Sequence, residues 1–244
     1  MIGCTEKTLI DAPLTTPVAR PLYGASTPGL QIARLMALLV GLFLALAPAA
    51  AQTRILAFGD SLTASPGVTA DDSLAAQLKR RLLADGYDIE VVSAGVSGDT
   101  TTTGLARLDY TLDSGPIDMA IVELGANDML NGHDPKLTRA NLDQIVTTMQ
   151  ARGVKVMLAA MVSSGNWGQA YKKDFDSIYP DLAEKHGVTM IPFFLEGVWG
   201  QPSMLIADGV HPNTAGITKI VKRLASPVEK QLAAMGVKKV SQNR

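Results

Sequence analysis

The chain has 244 residues, 47% of them hydrophobic and 18% charged, with a formal net charge of -1. That length allows one sizeable core, and roughly 100–200 residues per domain leaves one or two domains, of which one is expected. The near-neutral balance excludes the basic stripe that nucleic acid or an anionic membrane surface requires, so no nucleic-acid partner is expected.

The N-terminal region differs from the rest. Residues 35–47 (LMALLVGLFLALA) carry no charge, follow Arg34 and precede PAAAQ, whose small residues suit a signal peptidase. At about 1.5 Å per residue the run is too short to cross roughly 30 Å of hydrocarbon comfortably. A secretory signal peptide cleaved near Ala51 is therefore expected, an uncleaved anchor being the alternative. Residues 1–31 are rich in Pro and Thr and long for the start of such a signal. On this division 1–51 stands outside the fold and 52–244 forms a single domain, exported to a periplasm or secreted, with no stable membrane insertion. The only cysteine, Cys4, falls in the excluded part. No apolar run precedes it, so it does not read as a lipidation site.

Downstream, short apolar runs alternate with amphipathic stretches. The runs are 55–58 (ILAF), 89–92 (IEVV), 119–124 (MAIVEL), 154–160 (VKVMLAA) and 188–191 (VTMI), and flanking glycines mark them as buried strands. Between them, Leu74, Leu78 and Leu82 repeat at helical spacing after a cap at Asp72 or Ser73. A second helix follows Asp134-Pro135, a cap with proline at the first helical position. Further helices are expected over 102–112, 171–186 and 214–235, the second kinked or broken by Pro180. Strand and helix in alternation imply parallel strands covered by helices on both faces. Ligands of such sheets bind beyond the carboxyl ends of the strands, at the point where strand order reverses.

That edge is where chemistry is expected. Ser61 follows the first strand, in GDSLT. A serine hydroxyl needs a base to take its proton and donors aimed at the developing oxyanion. After the second strand, Gly98 offers an N–H with no Cβ in the way of a substrate, and after the third, Asn127 offers a carboxamide. Of three histidines, His133 lies in a loop and His186 at a helix C-terminus, where a structural role is expected. His211 lies three residues after Asp208, across a turn made by Gly209 and held by Pro212. A carboxylate at that spacing can take the Nδ1–H and leave Nε2 to accept the serine proton. Each piece also has a plain structural alternative: GDS and DG as turns, Asn127-Asp128 as a helix cap.

Taken in order, GDSLT (59–63), GVSGDTT (95–101), GAND (125–128) and DGVHPN (208–213) resemble the four signature blocks of the SGNH branch of GDSL hydrolases. Within it the chain is most similar to bacterial periplasmic multifunctional thioesterases, lysophospholipases and arylesterases, from about residue 54 to residue 232. The resemblance implies Ser61 as nucleophile, His211 as base and Asp208 as its orienter. It implies the Ser61 and Gly98 amides and the Asn127 side chain as oxyanion donors. It further implies a three-layer α/β/α sandwich, flavodoxin-like, with a parallel five-stranded sheet ordered 2-1-3-4-5. No metal, other cofactor or protein partner is implied.

The expected function is serine ester hydrolysis of short- to medium-chain acyl esters, with lysophospholipids, aryl esters or acyl thioesters as further substrates. Met129, Leu130, Trp167, Val198 and Trp199 are candidates for an apolar trough beside Ser61, with Val198 and Trp199 alternatively packing beneath the last helix. Ala64-Ser65-Pro66-Gly67 replaces a Gly-aromatic pair of relatives, and Asn166-Trp167-Gly168 an Asn-Tyr-Gly, both bordering the expected entrance. A carbohydrate O-acetylesterase would use the same machinery. A non-catalytic binding module would lack one of the five residues, and a phosphate binder would need a glycine-rich or lysine-bearing loop after the first strand, which GDSLTASPG is not.

Overall fold

A computed structural model describes Gly29 and residues 52–240. Gly29 aside, the segment 1–51 expected to direct export lies outside the described residues, as does Cys4. The described chain begins with β1 (Thr53–Gly59), a one-turn helix α1 (Ser61–Ala64), α2 (Leu74–Ala84) and β2 (Ile89–Gly95). It continues through α3 (Thr101–Ala106), α4 (Leu108–Leu112), β3 (Met119–Glu123), α5 (Ala126–Leu130), α6 (Pro135–Ala151) and β4 (Lys155–Ala159). The last elements are α7 (Gln169–Asp176), α8 (Ile178–His186), β5 (Thr189–Ile191) and α9 (Thr214–Ala234).

All strand pairs are parallel, in the order β2-β1-β3-β4-β5, within a three-layer α/β/α sandwich. Every residue of β3 and the last five of β1 are buried, as central strands of a sheet covered on both faces must be. Helices α2 and α9 pack together in one layer, and α6 packs on α3 and α8 in the other. The expected caps form: Ser73 accepts the Ala76 N–H at 3.3 Å and Asp134 that of Lys136 at 2.9 Å. Each contributes about 1 kcal/mol to its helix.

Two expected helices are broken, each for a local reason. The stretch 102–112 divides at Arg107, whose side chain turns inward to the site described below. The stretch 171–186 divides at Ser177, three residues before Pro180. Pro180 thereby falls in the first turn of α8, where a missing N–H leaves no intrahelical bond unmade.

Strand order reverses between β1 and β3, and the register sets Gly59 level with both Gly95 and Glu123. Three strand ends therefore meet at one crevice. Among the described residues no helix is long and apolar enough to cross a membrane.

Candidate active site

The turn after β1 is fixed by its own residues. Asp60 caps α1, its Oδ1 accepting the Leu62 N–H at 2.9 Å, which places Ser61 as the first residue of the helix with its side chain at the crevice. Gly59 has no room for a side chain: a Cβ there would collide with Thr63 Oγ1 and lie 2.6 Å from Glu123 Oε2. The glycine is required because α1 folds back against the end of β3.

The turn before α9 is equally constrained. Ile206 N–H donates to His211 O at 2.9 Å, and the Asn213 carboxamide donates to Ser203 O at 3.0 Å and Leu205 O at 3.1 Å while its oxygen caps α9. Within it, Asp208 Oδ1 accepts the amides of Val210 (2.8 Å) and His211 (3.0 Å), and Oδ2 lies 2.6 Å from His211 Nδ1. His211 Nε2 lies 2.9 Å from Ser61 Oγ. The imidazole contact, followed by the two amides, holds the Asp208 carboxyl down at about 2. Asp208 is therefore a carboxylate at neutral pH, matched to an Nδ1–H donor.

Asn127 occupies the second position of α5, and its Nδ2 donates to Asp99 O at 2.9 Å and Asp60 Oδ2 at 3.2 Å. Gly98 stands in the loop after β2 with φ +87°, and a Cβ there would meet open space. The left-handed backbone by itself favours glycine at 98. Among the described residues, neither the Gly98 nor the Ser61 amide has an acceptor. The structure thus brings Ser61, Asn127, Asp208 and His211 to one edge, with Gly98 on the adjoining loop.

Polar side chains that the sequence did not single out tie these loops together. Arg107 Nε donates to Asp99 Oδ2 at 2.6 Å and Nη2 to Gly59 O at 3.0 Å, its guanidinium 4.2 Å above the Phe58 ring. Asp128, fully buried, accepts from Thr101 N at 2.8 Å and Thr138 Oγ1 at 3.2 Å, joining the loops after β2 and β3. Asp60 and Glu123 are also buried: desolvation pushes Asp60 up to about 6 and Glu123 well above the usual carboxylate range. None of these pairings has a sequence spacing that announces it. His186 is bonded to Asp143 at the end of α8, away from this edge. His133 stands 4.0 Å from Asp128.

Beside Ser61 opens a cavity of about 300 Å³. Its lining includes Met129, Leu130 and Trp199 from among the expected residues, and adds Met161, Val162, Phe193, Leu195 and Val210. Two expected wall residues are elsewhere. Val198 is fully buried, against the start of α9 at Gly216. Trp167 stacks its indole where a Gly132 Cβ would be and donates Nε1–H to Met129 O at 2.7 Å, so it docks one loop on another outside the cavity. The segment Ala64 to Gly67 also stays off the wall. Ser65, buried with φ 60°, turns the chain away, and its hydroxyl accepts the Leu74 N–H at 3.0 Å. Among the described residues no group of three or more His, Cys, Asp or Glu could hold a metal ion.

Comparison with known proteins agrees with this arrangement. The model of the GDSL-like Lipase/Acylhydrolase family matches residues 57–218. Arylesterase of Vibrio mimicus is 37% identical over 194 residues, covering 80% of this chain and 97% of its own. Thioesterase 1/protease 1/lysophospholipase L1 of Escherichia coli (strain K12) is 38% identical over 167 residues, 68% of this chain and 78% of its own. The crystal structure of AlinE4, an SGNH-hydrolase family esterase, is 41% identical with a TM-score of 0.63, over 75% of this chain and 98% of AlinE4. The matched segment runs from within β1 into α9 and so takes in every strand end that builds the crevice: the chain belongs to the GDSL-like lipase/acylhydrolase family, in its SGNH branch, and is a serine-type carboxylic ester hydrolase.

Proposed function

We propose that Ser61 is the nucleophile of this hydrolase, His211 its base and Asp208 the group that orients the base. One continuous hydrogen-bonded chain carries this reading, from Ser61 Oγ through both ring nitrogens of His211 to Asp208. With Nδ1–H given to a carboxylate, Nε2 is the acceptor and takes the Ser61 proton as the hydroxyl attacks an acyl carbonyl. The oxyanion forms among the amides of Ser61 and Gly98 and the Asn127 carboxamide. Both hydrogens of that carboxamide are already engaged, and the longer bond, to Asp60, is the one the oxyanion can share. Protonated His211 then releases the alcohol or thiol, and water repeats the sequence on the acyl-enzyme.

The substrate class follows from the cavity. About 300 Å³ with mostly apolar side chains suits an acyl chain of short to medium length rather than a sugar ring, whose hydroxyls need polar partners. Aryl esters, lysophospholipids and thioesters, named in the relatives' activities, extend the leaving-group range. Export with cleavage near Ala51 belongs to the same reading, supported by the uncharged run at 35–47. N-terminal sequencing of the mature protein checks it.

A p-nitrophenyl ester series from acetate to palmitate, run beside acetyl-xylan and lysophosphatidylcholine, tests the rest. Turnover is expected to peak below the long chains and to vanish in Ser61→Ala. Undiminished turnover in that variant removes the mechanism, and activity on acetyl-xylan alone replaces the substrate class with a carbohydrate O-acetylesterase.

A further inference from the structure

Behind the nucleophile lie two buried carboxyl groups that the reaction sequence above does not use. Glu123, the last residue of β3, is 1% exposed and Asp60 is 0% exposed. Asp60 follows Gly59, where a Cβ would lie 2.6 Å from Glu123 Oε2, and burial and then the charge on Asp60 push the Glu123 carboxyl up. Glu123 Oε2 accepts the Thr63 hydroxyl at 2.7 Å, and Oε1 has no hydrogen-bond partner among the described residues.

Two bare carboxylates cannot share so dry a place, so one keeps its proton. The donors decide which. Asp60 receives the Leu62 N–H on Oδ1 and the Asn127 Nδ2–H on Oδ2, two bonds that favour the anion. Glu123, as buried as Asp60, keeps one oxygen, Oε1, with no donor at all, and a proton on that carboxyl finds an acceptor in Asp60. Burial drives Glu123 in the same direction.

We propose that Glu123 is a positioning residue: as a neutral acid it donates to Asp60 and accepts from Thr63, holding the Ser61 turn and the Asn127 carboxamide in register. Through Thr63 it grips α1, and through Asp60 it sets both the cap of α1 and the carboxamide of α5. It is absent from the cavity lining, so it acts on geometry rather than on substrate. The Gly59 position carries the imprint of this contact, because the space a Cβ would fill holds the Glu123–Thr63 pair. The inference rests on the reading that Ser61 and Asn127 perform the chemistry.

Glu123→Gln, Glu123→Met and Ser61→Ala decide it, with kcat and KM measured on p-nitrophenyl butyrate and folding followed by thermal melts. Glutamine keeps one donor for Asp60 and one acceptor for Thr63, and is expected to stay within about threefold of the parent in both constants. Methionine keeps the length without either, and is expected to lower kcat about 10- to 100-fold with KM within twofold, less than loss of an oxyanion donor itself. A glutamine variant as impaired as the methionine one overturns the neutral-acid role, and a methionine variant with parental kcat overturns positioning altogether. Should the methionine variant not fold, Thr63→Val reads the same link from α1: kcat is expected to fall about 3- to 10-fold with KM unchanged, and parental kcat overturns the proposal. Near-parental activity in Ser61→Ala condemns the underlying mechanism. An inactive Ser61→Ala beside a parental Glu123→Met condemns this inference alone.

Discussion

The two halves of the crevice are built by different forces. On one side, Ser61, Asn127, Asp208 and His211 are each fixed by named hydrogen bonds at the ends of strands or helices. On the other, Val162, Trp199 and Val210 on loops and Met129 and Leu130 at the end of α5 form an apolar wall, with Leu130 54% and Trp199 48% exposed. Hydrogen bonds are directional and hold atoms to a few tenths of an ångström, whereas apolar contact rewards area and leaves orientation loose. On the proposed assignment the reaction geometry is therefore stiff, and the wall that would select the acyl group is the adjustable part.

Substitutions on either side should break or sharpen that contrast. Ser61→Ala has the largest expected effect, a fall in kcat on the order of 10⁴-fold or more with KM preserved. Asn127→Ala should lower kcat about 10²- to 10³-fold for every chain length alike. A chain-length dependence of that loss would show that the polar side also selects substrate. Trp199→Ala should lower kcat/KM for hexanoate esters about 3- to 10-fold and leave acetate unchanged, since only a longer acyl group reaches the lost area. An equal loss on acetate would mean that the wall also holds the catalytic side in place.

The smallest expected effect is on stability against pH. Because Glu123 is raised and Asp60 is raised to about 6, from about pH 4 to pH 6 the folded chain keeps protons that the unfolded chain has released. Their contribution to stability is thus complete in acid and is lost as pH rises. Asp208 has the opposite sign: held at about 2, it stabilises above the ordinary aspartate range and loses that as pH falls toward 2, weakly, since it is solvent-screened. The Tm of Glu123→Gln relative to the parent should therefore rise from pH 4 to pH 7. A constant difference across that range would mean that Glu123 ionises normally in the fold.

The polar half was the more legible in the sequence. Asp208 and His211 share a turn, so their spacing alone proposes the pair, and Ser61, Gly98 and Asn127 each follow an apolar run whose end can be read. The wall was only partly legible. Val198 and Trp199 are neighbours, yet one is buried beneath α9 and the other lines the cavity, a division set by how the loop packs and not by residue type. Trp167 has the character of a wall residue and is instead spent on Met129 O, an acceptor 38 positions away in the chain.

The sequence by itself determined the alternation of strand and helix, the cap at Asp134, a cap at Asp72 or Ser73, and the residues standing at each strand end, because these depend on neighbours a few positions apart. Only the tertiary structure decided what surrounds them. The Glu123–Thr63 contact, the Arg107–Asp99 pair and the Asp128–Thr101 bond join residues separated in sequence by 60, 8 and 27 positions. A carboxyl group becomes a buried neutral acid or a loop anchor only when folding removes its water and supplies a partner, and one-dimensional spacing contains no record of either.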